Sequence, residues 1–222
     1  MPPKPKLTKE KIADMAYRII KEKGLSALTA RELGKRLNTS ASPIFTIFES
    51  MEDVKLSARE IALKEFKKTI SDYKDYTPAF KRIGMMIVSY GIHEPEMFKL
   101  LFMQAHSEPF GFKNTINDLG DLYFDCISLI EKDYALSNDE ASLLFEQMWT
   151  LAYGLGAMCA MQVCNIDEKE IGRRLSVAFV SHIMLIKSGK LNSVYEDIEK
   201  GSNKTYHSKS INNFSIKEND YE

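Results

Sequence analysis

Arg31, Lys35 and Arg36, followed by the hydroxyls of Ser40, Ser42 and Thr46, fall within one stretch from Thr29 to Phe48, TARELGKRLNTSASPIFTIF. Cations of this kind neutralise phosphates, and short hydroxyl side chains donate to and accept from base edges, so the chemistry on offer is duplex recognition. No competing catalytic arrangement is present: Ser-His-Asp, paired-carboxylate, P-loop and GxGxxG patterns are all missing, and no catalytic residue is expected. His93, His106 and His182 are far apart and belong to no HExxH or CxxC pattern, so neither a metal site nor a cofactor is expected.

The stretch carries the signals that would position those side chains. Thr29 with Glu32 three residues on reads as a capping box that opens a helix, in which Leu33 and Leu37 share one face and Gly34 admits a close neighbour. Asn38, Thr39 and Ser40 break that helix. A second begins near Ser40 or Ser42, with Pro43 tolerated in its first turn because its missing N–H would be unpaired there anyway. Ile44, Phe45, Ile47 and Phe48 follow it. Upstream, Ile12, Met15, Ala16, Ile19 and Ile20 recur at helical spacing between Thr8, a cap, and Gly24, a stop. Three helices around one small core, with a tight polar turn between the last two, form a helix-turn-helix.

Over about the first 55 residues the chain resembles the amino-terminal domain of the tetracycline-repressor (TetR) family. The matching residues are Ile12-Ala13, Gly24-Leu25, Leu28-Thr29, Arg31-Glu32-Leu33, Leu37-Asn38, Ser40-Ala41-Ser42-Pro43-Ile44-Phe45 and Phe48. The resemblance implies a recognition helix in the major groove, with Ser40, Ala41, Ser42, Pro43, Phe45 and Thr46 facing DNA and Ile44 and Phe48 anchoring it. Thr29, Arg31, Lys35 and Arg36 complete the expected DNA-binding set, with Lys4, Lys6, Lys9 and Lys55 as further sources of positive charge. The chain departs from the family pattern at Phe45, where a phosphate-binding tyrosine is usual, at Ile47, and at Ser50-Met51 in place of Asn-Lys. Each departure removes a phosphate contact, and such contacts supply much of the affinity and its salt dependence.

Within 78–164 the sequence is also similar to the WHG-type ligand domain of some TetR proteins, through Tyr90-Gly91-Ile92-His93-Glu94-Pro95-Glu96-Met97-Phe98, Leu101-Phe102, and Trp149 with Tyr153-Gly154. The signature histidine of that domain is Tyr153 here. Rich in Asn, Ser, Lys and Glu, residues 191–222 read as a polar tail that is expected to be largely disordered; for the rest, what the family implies is an all-α chain of about nine helices, with a helix-turn-helix domain over 1–52 and a helical ligand-binding and dimerisation domain over 53–190. It further implies a one-component regulator, most often a repressor, that binds a palindromic operator of double-stranded DNA and leaves it when a small-molecule effector binds.

Charge is consistent with that division. Residues 1–55 hold eleven Lys and Arg against seven Asp and Glu, and the remainder nineteen against twenty-four, which hides a basic start inside a formal net charge of −1. No run of eighteen apolar residues and no hydrophobic signal core is present, so a cytoplasmic protein without a membrane partner is expected. Three cysteines, Cys126, Cys159 and Cys164, make an odd count without CxxC spacing, which argues against a disulfide scaffold or zinc. Cys159 with Cys164 is a candidate redox pair, buried helical thiols being the commoner state.

Beyond Glu52 helical periodicity dominates. Val54, Leu56, Ile61, Leu63, Phe66 and Ile70 suit a long connector; Thr77-Pro78 opens the next helix and Glu94-Pro95 ends it; residues 106–113 read as a loop. Helices are expected over about 115–134, 136–164 and 168–188, the last two opened by capping boxes at Ser137/Glu140 and Asp167/Glu170. Ala152, Gly154, Gly156, Ala157 and Ala160 leave one stripe small, and Leu175, Val177, Phe179, Val180, Ile183 and Met184 make the last helix apolar around much of its circumference. A homodimer pairing these two helices would cover it. An effector pocket is expected from His93, Phe102, His106, Tyr123, Trp149 and Tyr153, with Met85, Met86, Met103, Phe110, Phe112 and Met158 nearby; a solid core is the alternative use of the same residues. A helical binding protein that has lost specific DNA binding is the other reading of the whole.

Overall fold

Most helices begin where the sequence supplies a partner for their first amides. Thr8 Oγ1 accepts from the Lys11 amide (3.3 Å) and Thr29 Oγ1 from the Glu32 amide (3.1 Å). Ser137 and Glu140 form the full reciprocal box, the Glu140 carboxylate accepting from the Ser137 amide at 2.8 Å. The other two expected boxes are half-made. Glu32 turns instead to Lys23 (3.0 Å) and Arg36 (3.3 Å), and Glu170 to Arg173 and Arg174 (2.7 Å each), because a cation holds a carboxylate more strongly than a neutral amide does. A further full box, Ser50 with an aspartate, Asp53, in the place usually held by Glu or Gln, opens the connector helix.

The computed structural model describes residues 7–104 and 120–190. Among these are nine α-helices and no strand: α1 Lys9–Lys23, α2 Ala30–Arg36, α3 Ser42–Phe45, α4 Met51–Thr69, α5 Ala79–His93, α6 Pro95–Phe102, α7 Asp121–Tyr134, α8 Asn138–Ala160 and α9 Glu168–Lys187. The protein is all-α. The expected loop at 106–113, the first turn of the helix expected from 115, and the polar tail lie outside the described residues. No helix among the described residues is long and apolar enough to cross a membrane.

The chain divides into two units, Met1–Ala178 and Phe179–Glu222. In the first, α1 packs on α4, and α5 packs on α8. The core-facing stripe of α4 is Val54, Ala58, Ala62 and Phe66, four residues apart and all buried. Leu56, expected on this side, is 50% exposed, since two residues from Val54 on a helix is the opposite face. Of the small stripe of α8, Ala152, Gly156 and Ala160 face the chain's own interior. A Cβ on Gly91 of α5 would collide with the Gly156 backbone, and one on Gly156 would sit 2.7 Å from the Phe98 ring, so the α5–α8 crossing is closer than any alanine allows. Gly154, on the same helix, has nothing within 4 Å. α8 ends at Ala160, four residues earlier than the periodicity suggests: Gln162 takes a left-handed φ of 58°, and the Val163 amide turns back to the Met158 carbonyl. Ile171 and Leu175, in the first half of α9, are buried; Val177 is 60% exposed. In the second unit the helix continues to Lys187 with Val180 (50%) and Met184 (67%) exposed.

Candidate nucleic-acid interface and ligand core

α3 is a single turn, too short to be stable by propensity. It is held by what it buries: Ile44 is fully buried and Phe48 nearly so, and Lys9 of α1 lies over the Phe48 ring at 5.5 Å. Burial of two such side chains stabilises by about 3–6 kcal/mol, enough to fix one turn. Pro43 sits in the first turn, as its fixed φ permits. The turn before α3 is equally constrained. Asn38 adopts a φ of 53°, the Thr39 amide donates to the Gly34 carbonyl at 2.9 Å, and a Cβ on Gly34 would meet the Thr39 carbonyl oxygen at 2.9 Å.

With Ile44 and Phe48 turned inward, the side chains left outside are Ser40, Ser42, Phe45 (44% exposed), Thr46 and Ile47 (36%), flanked by the half-buried Ala41 and Pro43. Thr29, Arg31 and Lys35 are exposed on and before α2. Thr46 Oγ1 donates to the Pro43 carbonyl at 2.7 Å, which commits its proton and leaves its lone pairs as acceptors for a base amino group. Arg31 and Lys35 form no ion pair among the described residues. Arg36 is differently placed: its guanidinium reaches Glu22 at 2.7 Å and Glu32 at 3.3 Å, tying α2 to α1, and the two carboxylates hold it above the ordinary arginine value. Lys55 pairs with Glu52 at 3.2 Å. Lys4 and Lys6 lie outside the described residues.

α1 is fastened to the α5–α6 corner. Lys21 Nζ meets Glu94 Oε1 at 2.7 Å, and Gly24, at a φ of 82°, gives its space to the Glu96 carboxylate. Beside that ion pair α1, α4 and α5 enclose a cleft of about 260 Å³ between Tyr17, Lys21, Glu65, Thr69, Met86, Ser89, Tyr90, His93 and Glu94. Burial, with Tyr17, Glu94 and Glu65 nearby, pushes the Tyr90 phenol well above the ordinary tyrosine value. The carbonyls at the end of α6 collect donors from three places: Arg59 Nη2 of α4 to Leu101 O (3.0 Å), Tyr153 Oη of α8 to Phe102 O (2.9 Å), and Gln104 Nε2 to Lys99 O (2.7 Å). Neither the Lys21–Glu94 pair nor these carbonyl contacts carries a signal in sequence spacing.

Of the residues expected in an effector pocket, four gather in one aromatic core. Phe102 meets Trp149 edge-on at 6.0 Å, Phe98 lies between Phe102 (5.0 Å) and Tyr153 (6.0 Å), and Phe145 joins Trp149 (6.1 Å) to Tyr123 (5.1 Å). Phe66 of α4 closes the cluster against Phe102 and Tyr90. His93 is not part of it: the imidazole is exposed at the end of α5 and faces the α1–α4–α5 cleft with Met86. Met158 points outward, 43% exposed. His106, Phe110 and Phe112 lie outside the described residues. No group of three or more His, Cys, Asp or Glu that could hold a metal ion occurs among the described residues.

No family model matches the sequence, and no curated protein does. Solved structures do match the fold. A TetR-like transcriptional regulator from Rhodococcus sp. RHA1 superposes with a TM-score of 0.56 at 11% identity, over 84% of this chain and 100% of that one. The fatty acid degradation regulator FadR from Bacillus halodurans gives 0.51 at 17% identity, over 81% and 97%. A possible TetR family transcriptional regulator from Streptomyces coelicolor A3(2) gives 0.50 at 11% identity, over 85% and 98%. This chain thus has the fold of the TetR-like transcriptional regulators.

Proposed function

We propose that the protein is a cytoplasmic, non-enzymatic transcriptional regulator that reads a palindromic operator through α2 and α3 and is released by a small-molecule effector, most simply as a repressor. The observation that carries this reading is the division of the segment from Ser40 to Phe48, which contains α3: Ile44 and Phe48 are buried, while Ser40, Ser42, Phe45 and Thr46 are exposed beside the uncommitted Arg31 and Lys35. That surface offers hydroxyls and an aromatic face to bases and two cations to phosphates. Arg36 acts by holding α2 on α1. Residues 1–52 form the reading domain and 53–190 the effector and dimer domain, in which an effector reaches Phe102, Tyr123, Trp149 and Tyr153 by displacing the Phe98 and Phe145 rings that fill the space between them. The exposed Val177, Val180 and Met184, spaced along one helix, support a homodimer formed through α8 and α9.

An effector acts only as far as it binds one arrangement better than another. Arg59 and Tyr153 hold adjacent carbonyls at the end of α6, so movement of α8 on ligand binding reaches α4, and through it the reading domain. Selection of bound duplexes from a randomised pool tests the proposal. A two-fold symmetric sequence, with half-sites about one helical turn apart or a multiple of it, is the expected enrichment; an unenriched pool refutes sequence-specific reading.

The second reading, a helical small-molecule-binding protein without specific DNA binding, is favoured by one feature. Arg36 and Lys55 are spent on intrachain pairs and Phe45 lacks a phenol, which leaves few phosphate contacts on the reading face. Retention of an effector by a protein that enriches no duplex would decide for it.

A further inference from the structure

Two thiols meet where α8 ends. Cys159, in the last turn of the helix, and Cys164, in the linker to α9, bring their sulfurs to 3.9 Å. They come together because α8 stops at Ala160 and the chain turns back through the left-handed Gln162; a helix continued to 164 would have set them apart. Both are free thiols in the structure. A disulfide needs its sulfurs at about 2.05 Å, so the gap to be closed is about 2 Å, within reach of a side-chain rotation at the less enclosed Cys164. Cys159 is 8% exposed, whereas Cys164 is half-buried.

We propose that Cys159 and Cys164 are a hydroperoxide-responsive pair that closes to an intramolecular disulfide. Cys164 is the thiol that meets the oxidant. Its thiolate attacks one peroxide oxygen, the O–O bond breaks, and a sulfenic acid and hydroxide are formed. Cys159 then attacks that sulfur, the S–O bond breaks, and the departing oxygen takes up protons to leave as water. Two thiols and one hydrogen peroxide give one disulfide and two waters. The order of events follows from the surroundings: burial, and after it the neighbouring Cys164, push the Cys159 thiol up to about 11, against a smaller opposing effect of the Ile166 amide. Cys159 is therefore a poor first nucleophile and a well-placed second one. Cys126 is the internal control, fully buried in α7, its thiol pushed up to about 12 by burial and then by Asp125. A paired, reversible thiol site suits a reducing compartment, where a standing disulfide does not persist.

The site lies between the two helices assigned above to dimerisation, so on that reading oxidation alters DNA affinity. Formation of the bond is measured without DNA, which keeps the two claims separable. Reduced full-length protein is exposed to hydrogen peroxide, alkylated and mapped by mass spectrometry. The expected product is the peptide carrying Cys159 and Cys164 lighter by two hydrogens, resistant to alkylation and restored by a dithiol, with Cys126 still reduced. Cys126→Ser retains that product and Cys164→Ser loses it. Cys159→Ser stops at a sulfenic acid on Cys164 that a dimedone probe captures. Over-oxidation of Cys164 with Cys159 still alkylatable in the wild-type chain, a disulfide between chains, or a peptide unchanged by peroxide would each overturn the proposal.

Discussion

Gly34→Ala and Gly154→Ala place the same methyl group on two helices and are expected to act with opposite sign. At Gly34 the new carbon would lie 2.9 Å from the Thr39 carbonyl oxygen and 3.3 Å from the Ser40 carbonyl carbon, both backbone atoms. Relief to ordinary contact requires a shift of about 0.5 Å in the turn between α2 and α3. Overpacking of this kind costs about 1–3 kcal/mol. Stretching the 2.9 Å bond from the Thr39 amide to the Gly34 carbonyl adds up to about 1 kcal/mol. The better helix propensity of alanine returns about 1 kcal/mol, so a net loss of up to about 3 kcal/mol remains. At Gly154 nothing lies within 4 Å, and the propensity gain of about 1 kcal/mol stands alone. Urea denaturation of the two variants beside the wild type measures both numbers. Because the shift at Gly34 carries Ser40 to Thr46 with it, DNA affinity is also expected to fall by about tenfold, or about 1.4 kcal/mol, under conditions where the variant is folded. A Gly34→Ala protein as stable as Gly154→Ala, with unchanged DNA affinity, would refute the packing of the turn and its place in DNA reading.

Lys35→Ala should weaken binding to all duplexes alike and lower the slope of log affinity against log salt by about 1, read by anisotropy across a salt series. Arg36→Ala should instead lower the denaturation midpoint by severing α2 from Glu22 on α1, with a smaller effect on that slope. Tyr153→Phe removes the bond to the Phe102 carbonyl and is expected to cost about 1 kcal/mol in denaturation while leaving operator affinity without effector near wild type. The Asp125 carboxyl is held below its ordinary value of 3.8, first by the Tyr73 hydroxyl and then by Lys74. A carboxyl lowered on folding stabilises above its unfolded value and loses that contribution as pH falls through the folded one. Asp125→Asn should therefore shallow the acid limb of a stability–pH profile while changing its shape little above pH 5; an unchanged acid limb would show that Asp125 contributes nothing there.

What was legible in the sequence followed chemistry that acts over a few residues. Thr8, Thr29, Ser137 and Asp167 mark helix starts because a cap is a contact across three positions, and Ile44 with Phe48 marks the buried side of α3 because helical period fixes which residues share a face. Local rules failed where a stronger partner or packing from elsewhere in the chain took a residue's place in its expected contact. Glu32 abandons its capping box for Lys23 and Arg36, and the small stripe of α8 receives Gly91 of α5 and the Phe98 ring of α6. The aromatic core around Phe102, Trp149 and Tyr153 was legible as a set of residues but not as a space: nothing in their spacing says that Phe98, Phe66 and Phe145 fill between them, or that His93 faces another cleft. Cys159 and Cys164, five residues apart, meet only because a left-handed residue ends the helix, and no sequence period encodes that.

The most direct test of DNA reading by α2 and α3 is fluorescence anisotropy on a labelled duplex from just upstream of the coding region, with random DNA as competitor and salt varied. Binding that survives the competitor, weakens as salt rises and is lost in a Ser42→Ala, Thr46→Val double variant that remains folded is the result expected. Equal loss of binding to both DNAs under competition, with an unchanged affinity in the double variant and no enriched site from the randomised pool, would contradict it.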